Sequence, residues 1–158
     1  MAASPRLLTS KIARARSASA LLAVVGANVD RPIFNEFHVG AAFAHLARLQ
    51  QQGRLGCQDL RSPVWARLEA RLCAMLEQDR LRSRQLSNCL WAQAVLRKQL
   101  TLRALPSLAQ RLSQKGRQMK AQDVANNLWA LAQLWEDWPQ RARNFSSVVG
   151  GVVDALPD

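Results

Sequence analysis

Two tryptophans occur in nearly the same surroundings, and an indole ring can either stack on a nucleic-acid base or fill a protein core. LSNCLWAQAVL (residues 86–96) and VANNLWALAQL (residues 124–134) are identical at six of eleven positions, including Trp91 and Trp129. Stacking on a base contributes about 1–3 kcal/mol. Because Leu and Ala surround the ring in both copies, we predict that Trp91 and Trp129 are core residues that hold one helical unit against the next.

Polar side chains in the same segments could read base edges. On a helix, positions i, i+4 and i+7 share one side. These positions are Ala41, His45 and Arg48 in a first, weaker copy, Asn88, Ala92 and Val95 in the second, and Asn126, Ala130 and Gln133 in the third. Residues that read sequence should differ between units, because different bases present different edges. We therefore expect this side to face a ligand.

The candidate reading residues are His45, Arg48, Asn88, Asn126, Asn127 and Gln133. Two of them, Asn88 and Asn126, are shared between the copies. A shared Asn also suits a structural hydrogen bond between helices, because Asn within a helix competes for backbone partners. The alternative for the others is that they are solvated surface residues.

Basic side chains outnumber acidic ones by 22 to 11, which gives a net charge of +11. A surplus of this size favours an anionic partner such as nucleic acid or a membrane surface. Candidate phosphate-binding residues cluster near the repeated helices: Arg84, Arg97, Lys98, Arg103, Arg111, Lys115, Arg117 and Lys120. Binding through them should weaken with added salt.

Enzymatic chemistry has little support in the sequence. The three cysteines, Cys57, Cys73 and Cys89, form no CxxC pair, and the odd number without a secretory segment predicts buried thiols in a reducing compartment. The only histidines are His38 and His45, and no HExxH, GxSxG or P-loop motif occurs. We expect neither an enzyme, nor a metal site, nor a cofactor. No run of 18 apolar residues occurs, so we expect no membrane insertion.

The elements that carry these residues repeat along the chain. Trp91 and Trp129 are 38 residues apart, and VGAAFAHLARL (residues 39–49) aligns as the first copy with Ala44 at the tryptophan position. Segments 64–78 and 103–118 lie between the copies and carry leucines at helical spacing. A repeated helix pair of this length predicts an all-α fold, a right-handed α-solenoid of about three stacked hairpins.

The predicted units are residues 35–80, 81–119 and 120–158, and the second helix of the third unit should fall within residues 138–158. Asp123 is the expected N-cap of the helix that carries Trp129. Residues 1–30 are basic and contain one acid, Asp30, which is typical of an organelle transit peptide. The alternative is that residues 7–25 form the first helix of the fold, with a break at a Ser-Ala-Ser sequence.

The frame N-x-L-W-A-x-A-x-L at a 38-residue period resembles the octotricopeptide repeat. Residues 8–49, with Phe34, Asn35, His38 and Val39 before an Ala/Leu helix, also resemble the start of such arrays. The resemblance covers nearly the whole chain. It implies an α-solenoid that is imported into the chloroplast or mitochondrion and binds organellar RNA there.

Two functions follow as expectations. The first is binding of single-stranded RNA in transcript stability, processing, splicing or translation. The second is a non-enzymatic scaffold or subunit of an organellar ribonucleoprotein such as the ribosome, with structured RNA and ribosomal or other proteins as partners. A motif enriched from randomised RNA would favour the first, and co-sedimentation with a large complex would favour the second.

Overall fold

The structure is a computed structural model that describes residues 4–97 and 103–135, together with Gly150 and Val153. Within these residues the chain is helical and contains no strand, so the predicted all-α class is confirmed for this part of the chain. The elements are α1 (Pro5–Arg14), α2 (Ala18–Gly26), α3 (Glu36–Gln51), α4 (Cys57–Leu60), α5 (Pro63–Glu77), α6 (Ser83–Leu96), α7 (Leu105–Lys115), the 3-10 turn Gly116–Gln118, and α8 (Ala121–Trp135).

Side-chain caps fix several helix starts. Ser4, Ser17 and Ser62 each accept a hydrogen bond from a backbone N–H in the first turn of α1, α2 and α5. Such a bond satisfies a donor that the helix itself cannot pair. The predicted cap at Asp123 is wrong: α8 already begins at Ala121, and Asp123 lies buried in its first turn.

Two helices end in a left-handed residue. The N–H of Arg54 donates to the carbonyl of Leu49 across Gly53, which has a φ of 66°. At the end of α5, Asp79 takes the glycine position with a φ of 51°, and the N–H of Arg80 donates to the carbonyl of Met75. Glycine is the usual residue there, because a side chain disfavours this conformation. Asp is one of the few other residues that adopt this conformation, because its short polar side chain can form local hydrogen bonds.

The helices pack in two rows. In the first row α1 contacts α3, α3 contacts α6, and α6 contacts α8. In the second row α2 contacts α5, and α5 contacts α7. Contacts between the rows join α1 to α2, α3 to α5, and α6 to α7. Each first-row helix except α8 is thus paired with a described second-row helix, and the four-residue α4 lies in the connection between α3 and α5.

Residues 5–26 form a hairpin of their own. The chain breaks between α1 and α2 where the Ser-Ala-Ser sequence predicts, and Leu8, Ile12, Leu21 and Val25 are buried against the rest of the fold. This hairpin precedes the three units predicted from residue 35 onward. The second helix predicted within residues 138–158 lies outside the described residues, apart from Gly150 and Val153.

The remaining helix boundaries agree with the spacing of the leucines. The segments predicted as 64–78 and 103–118 are α5 and α7 with its 3-10 turn, and Pro106 lies in the first turn of α7. Their leucines form the core between the rows, together with alanines of the first row. Among the described residues, no helix is long and apolar enough to cross a membrane.

Candidate nucleic-acid interface

Helix α6 is enclosed on three sides by α3, α7 and α8, and one side remains open. From Arg84 to Leu96, the residues that are not buried are Arg84, Asn88, Trp91 and Val95. Their spacing of i, i+4, i+7 and i+11 places them on one side of the helix. Helix α8 has the corresponding residues Gln122, Asn126, Trp129 and Gln133, and none of them is buried. We call these eight residues the open face.

The tryptophans belong to the open face and not to the core. Trp129 is 44% exposed, and Trp91 is half-buried at the edge of the core. The core prediction is therefore wrong for Trp129, and Trp91 fills only the rim. The reason is the turn of the helix: Leu90 lies on the buried side of α6, Leu128 takes the corresponding position on α8, and the residue after each leucine points about 100° away.

The side predicted to face a ligand, at positions i, i+4 and i+7, is displaced for the same reason. Ala92 and Ala130, its middle positions, are completely buried. On this side of the helices, Trp91 lies between Asn88 and Val95, and Trp129 lies between Asn126 and Gln133. On α3 the corresponding side carries Phe37, which is 45% exposed, and Arg48, which is also exposed.

Two of the six candidate reading residues serve the fold. Asn127 is fully buried, and its Nδ2 donates to Ser87 Oγ at 3.0 Å and lies 3.1 Å from Met119 Sδ, so its assignment as a reading residue is wrong. His45 is half-buried, with Nε2 2.7 Å from the carbonyl oxygen of Ala15, which joins α3 to the end of α1.

The other four candidates lie at the surface. Asn126 Oδ1 accepts a hydrogen bond from Gln122 Nε2 at 3.0 Å, within the open face. Gln133 Oε1 accepts from Arg97 Nη2 at 3.2 Å. Asn88 is half-buried and Arg48 is exposed. All four can be reached from the solvent side of the first row of helices.

Two of the candidate phosphate-binding residues hold the junction between α5 and α6. Arg111 donates to the carbonyls of Leu76 at 3.0 Å and Glu77 at 3.3 Å, the last residues of α5. Lys115 Nζ donates to the carbonyl of Leu81 at 2.8 Å, and it also lies 2.7 Å from Asp79 Oδ1. Both prior assignments are therefore corrected: these cations satisfy carbonyls and a carboxylate of the protein itself.

An equivalent pair on α5, which the sequence analysis missed, holds the junction between α2 and α3. Arg67 donates to the carbonyl of Gly26, the last residue of α2, at 3.1 Å and pairs with Asp30. Arg71 donates to the carbonyl of Phe34 at 2.8 Å. Phe34 and Leu81 both lie two residues before a first-row helix. We call each such i, i+4 pair of cations a junction clamp. The same spacing recurs on both second-row helices, and this repetition is the sequence signal from which the clamps could have been predicted.

The remaining candidate cations are divided between the two rows. Arg84 is mostly exposed, with Nη1 3.9 Å from Asp123 Oδ1, and Lys120 is exposed just before α8. Arg97 donates to the carbonyl of Ala94 at 2.9 Å. Lys98 lies outside the described residues. Arg82, a further cation missed from the sequence, lies 5.8 Å above the ring of Phe37.

Arg103 lies on the second row, away from the open face. It lines a groove on α5 with Glu69, Cys73 and Glu77. Burial raises the pKa of Glu69, and a hydrogen bond from the Arg103 backbone and the Arg103 charge oppose that rise. The charge of Arg103 thus lies near this carboxyl, while Arg103 itself is exposed, and its role as a phosphate ligand stays a prediction. Arg117, by contrast, is exposed after α7.

The prediction of buried thiols holds for Cys89 alone: Cys73 is partly buried, and Cys57 is exposed. Burial raises the pKa of Cys89 to about 12, so its thiol stays protonated at neutral pH. Among the described residues, no three His, Cys, Asp or Glu side chains are grouped so that they could hold a metal ion. The chain matches no protein-family model, no curated protein and no solved structure. Its function must therefore be argued from the open face.

Proposed function

We propose that this protein is a right-handed α-solenoid of helical hairpins that binds single-stranded RNA through its first row of helices, without enzymatic activity. The two rows of contacts support the solenoid, because the main contacts of each described hairpin are with the hairpins next to it in the chain. The single observation that carries the RNA proposal is the composition of the open face. It combines two accessible indoles, two Asn side chains and an exposed Arg on adjacent helices.

The charge supports the same partner. Four cations are used within the junction clamps, yet Arg48, Arg82, Arg84 and Lys120 stay exposed on or beside the first-row helices. Arg82, Arg84 and Lys120 all lie near the amino ends of α6 and α8. At these ends the helix dipole favours an anion as well, so the phosphates would follow this edge of the row.

The proposal is tested by binding of a labelled, randomised 12-nucleotide RNA at two salt concentrations. A protein that makes several phosphate contacts loses affinity steeply between 50 and 200 mM salt. Arg84→Ala and Lys120→Ala should each weaken binding and reduce the slope with salt. Arg61→Ala, which removes an exposed cation after α4, is the matched control and should leave both unchanged. Equal effects of all three variants would show non-specific charge binding.

A second candidate, a subunit of an organellar ribonucleoprotein such as the ribosome, is favoured by one observation. Helix α8 leaves Ala125 and Ala132 exposed and Leu128 half-buried, whereas the equivalent residues of α6 are buried, and Ser87 among them bonds to Asn127 of α8. This edge can accept a helix of a protein partner. Selection from random RNA separates the two: an enriched motif supports the first candidate, and no motif together with co-sedimentation on a large complex supports the second.

We place the protein in the chloroplast or mitochondrion on the basis of its basic amino-terminal composition and the repeat resemblance. Because residues 5–26 are packed into the fold, their removal would uncover α3 and α5. Imaging of the full chain fused to a fluorescent protein tests the location, and diffuse cytosolic fluorescence would contradict it. The mature amino terminus, read by peptide sequencing, tests whether this hairpin is retained.

A further inference from the structure

We propose that Trp91 and Trp129 are stacking platforms for two unstacked RNA bases, one on each of two adjacent hairpins. This inference rests on the proposed function and adds the kind of contact that holds the RNA. Trp129 is 44% exposed on α8, and Trp91 is half-buried on α6, at the same position of the repeated frame. A large exposed indole in a surface that carries cations is suited to a base, because every base has a face that stacks.

The two tryptophans lie on a different side of their helices from the residues against which a further helix could pack. In α6, Ser87, Leu90 and Ala94 are buried, and Ser87 bonds directly to Asn127 of α8. The positions that contact the next helix are therefore 87, 90 and 94, which correspond to 125, 128 and 132 in α8. Trp91 and Trp129 lie outside this set, and Trp91 stays accessible although α8 packs beside it.

The spacing of the helices selects an extended strand. Packed helices lie about 8–10 Å apart, which is far more than the ~3.4 Å between stacked bases of one strand. Two bases on neighbouring tryptophans must therefore be splayed apart, as in other helical-repeat proteins that bind RNA. A base-paired duplex cannot satisfy both platforms.

The phosphates have cations within reach. Arg84 lies seven residues before Trp91 on the same side of α6, about 10 Å along the axis at 1.5 Å per residue. This separation suits a base on the indole with its phosphate on the guanidinium. Upstream, α3 has Ala44 at the tryptophan position and it is buried, so α3 offers no platform at that position. The tryptophan position of the repeated frame therefore provides two platforms within the described residues.

The test compares a uridine 12-mer with an abasic 12-mer that carries the same phosphates. We expect the abasic strand to bind about 5- to 150-fold more weakly for each platform lost, and Trp91→Ala or Trp129→Ala to weaken uridine binding by a similar factor. Neither substitution should affect binding of the abasic strand. Trp129→Phe should retain affinity within about threefold, because Phe also stacks.

Leu7→Ala, which removes another large exposed side chain from α1, is the matched control and should leave binding unchanged. Equal binding of the two strands, or unchanged uridine binding by Trp129→Ala, would overturn the platforms while leaving phosphate-based RNA binding in place. Failure of the intact chain to bind either strand would instead overturn the proposed function. The comparison of strands uses the unmodified protein, so it does not depend on any variant being folded.

Discussion

Helices α6 and α8 share six of eleven residues in the repeated segment, but α6 has a described helix on either side in its row, whereas α8 has one on only one side. Ala94 is completely buried in α6, and its counterpart Ala132 is exposed in α8. Leu90 is completely buried, and Leu128 is only half-buried. The neighbour, and not the residue type, decides which of these positions belong to the core.

The comparison divides the shared residues into three groups. Ala92 and Leu96, like their counterparts in α8, are buried in both helices, because they face the hairpin interior or the preceding helix. The positions of Leu90 and Ala94 are fully buried only where another helix follows. Asn88 and Trp91, with their counterparts, remain accessible in both helices. A residue that stays accessible in both settings is free to contact a ligand.

The largest expected effect separates the two leucines. Leu90→Ala should lower the free energy of unfolding by about 2–5 kcal/mol, because it opens a cavity between α6 and α8. Leu128→Ala should cost less than half as much, because its site can relax toward solvent. Urea unfolding followed by circular dichroism measures both. Equal losses would mean that another part of the chain covers Leu128 as fully as α8 covers Leu90.

The next effect concerns the junctions before the two helices. Arg111→Ala should lower the free energy of unfolding by about 1.5–3 kcal/mol, the range for hydrogen bonds of a charged group, because the carbonyls of Leu76 and Glu77 lose their donor. Arg117→Ala, which removes an exposed cation before α8, should change it by no more than about 0.5 kcal/mol. If Arg111→Ala lowers the free energy of unfolding no more than Arg117→Ala does, the stabilising role of the junction clamp is contradicted.

The smallest effect is on the pH dependence of stability. A hydrogen bond from Lys115, followed by the charges of Lys115 and Arg111, lowers the pKa of Asp79. A carboxyl with a lowered pKa stabilises the fold above its unfolded pKa of about 3.9, and this contribution is lost as the pH falls through the folded pKa. Stability should therefore fall as the pH drops below about 4.

Asp79→Asn is the variant that isolates this charge, because Asn also tolerates the left-handed conformation of position 79. Thermal melts of both proteins from pH 5 to pH 2 measure the difference. The gap between them should be widest at pH 5 and should close as the pH falls. A constant gap would show that the carboxylate of Asp79 does not contribute through its charge.

The helices could be predicted from the sequence because the apolar spacing of 3.6 residues is local information. The side on which each tryptophan lies could not, because Leu90 and Trp91 are both apolar and only packing shows which of them faces the neighbour. A count of the leucines at 86 and 90 would have placed the core side there and moved Trp91 off it. Apolar character alone led to the opposite prediction.

The hydrogen-bond partners of the cations could not be predicted from the sequence either. Arg111 looked like a phosphate ligand because the chain is basic, yet its partners at Leu76 and Glu77 lie 35 and 34 residues away. Contacts of this range depend on how the hairpins stack. Asn127 was misassigned for a similar reason, since its partner Ser87 lies 40 residues away across the interface of α6 and α8. Arg48, Asn88, Asn126 and Gln133 remain predictions.

The most direct test of the central claim is to map where bound RNA touches the protein. A 12-mer that contains 4-thiouridine is cross-linked to the intact chain by light, and mass spectrometry identifies the modified residues. We predict cross-links on α6 and α8 within residues 84–95 and 122–133, foremost at Trp91 and Trp129. Cross-links confined to the second-row helices α5 and α7 would contradict the account, because those helices lie on the other side of the fold.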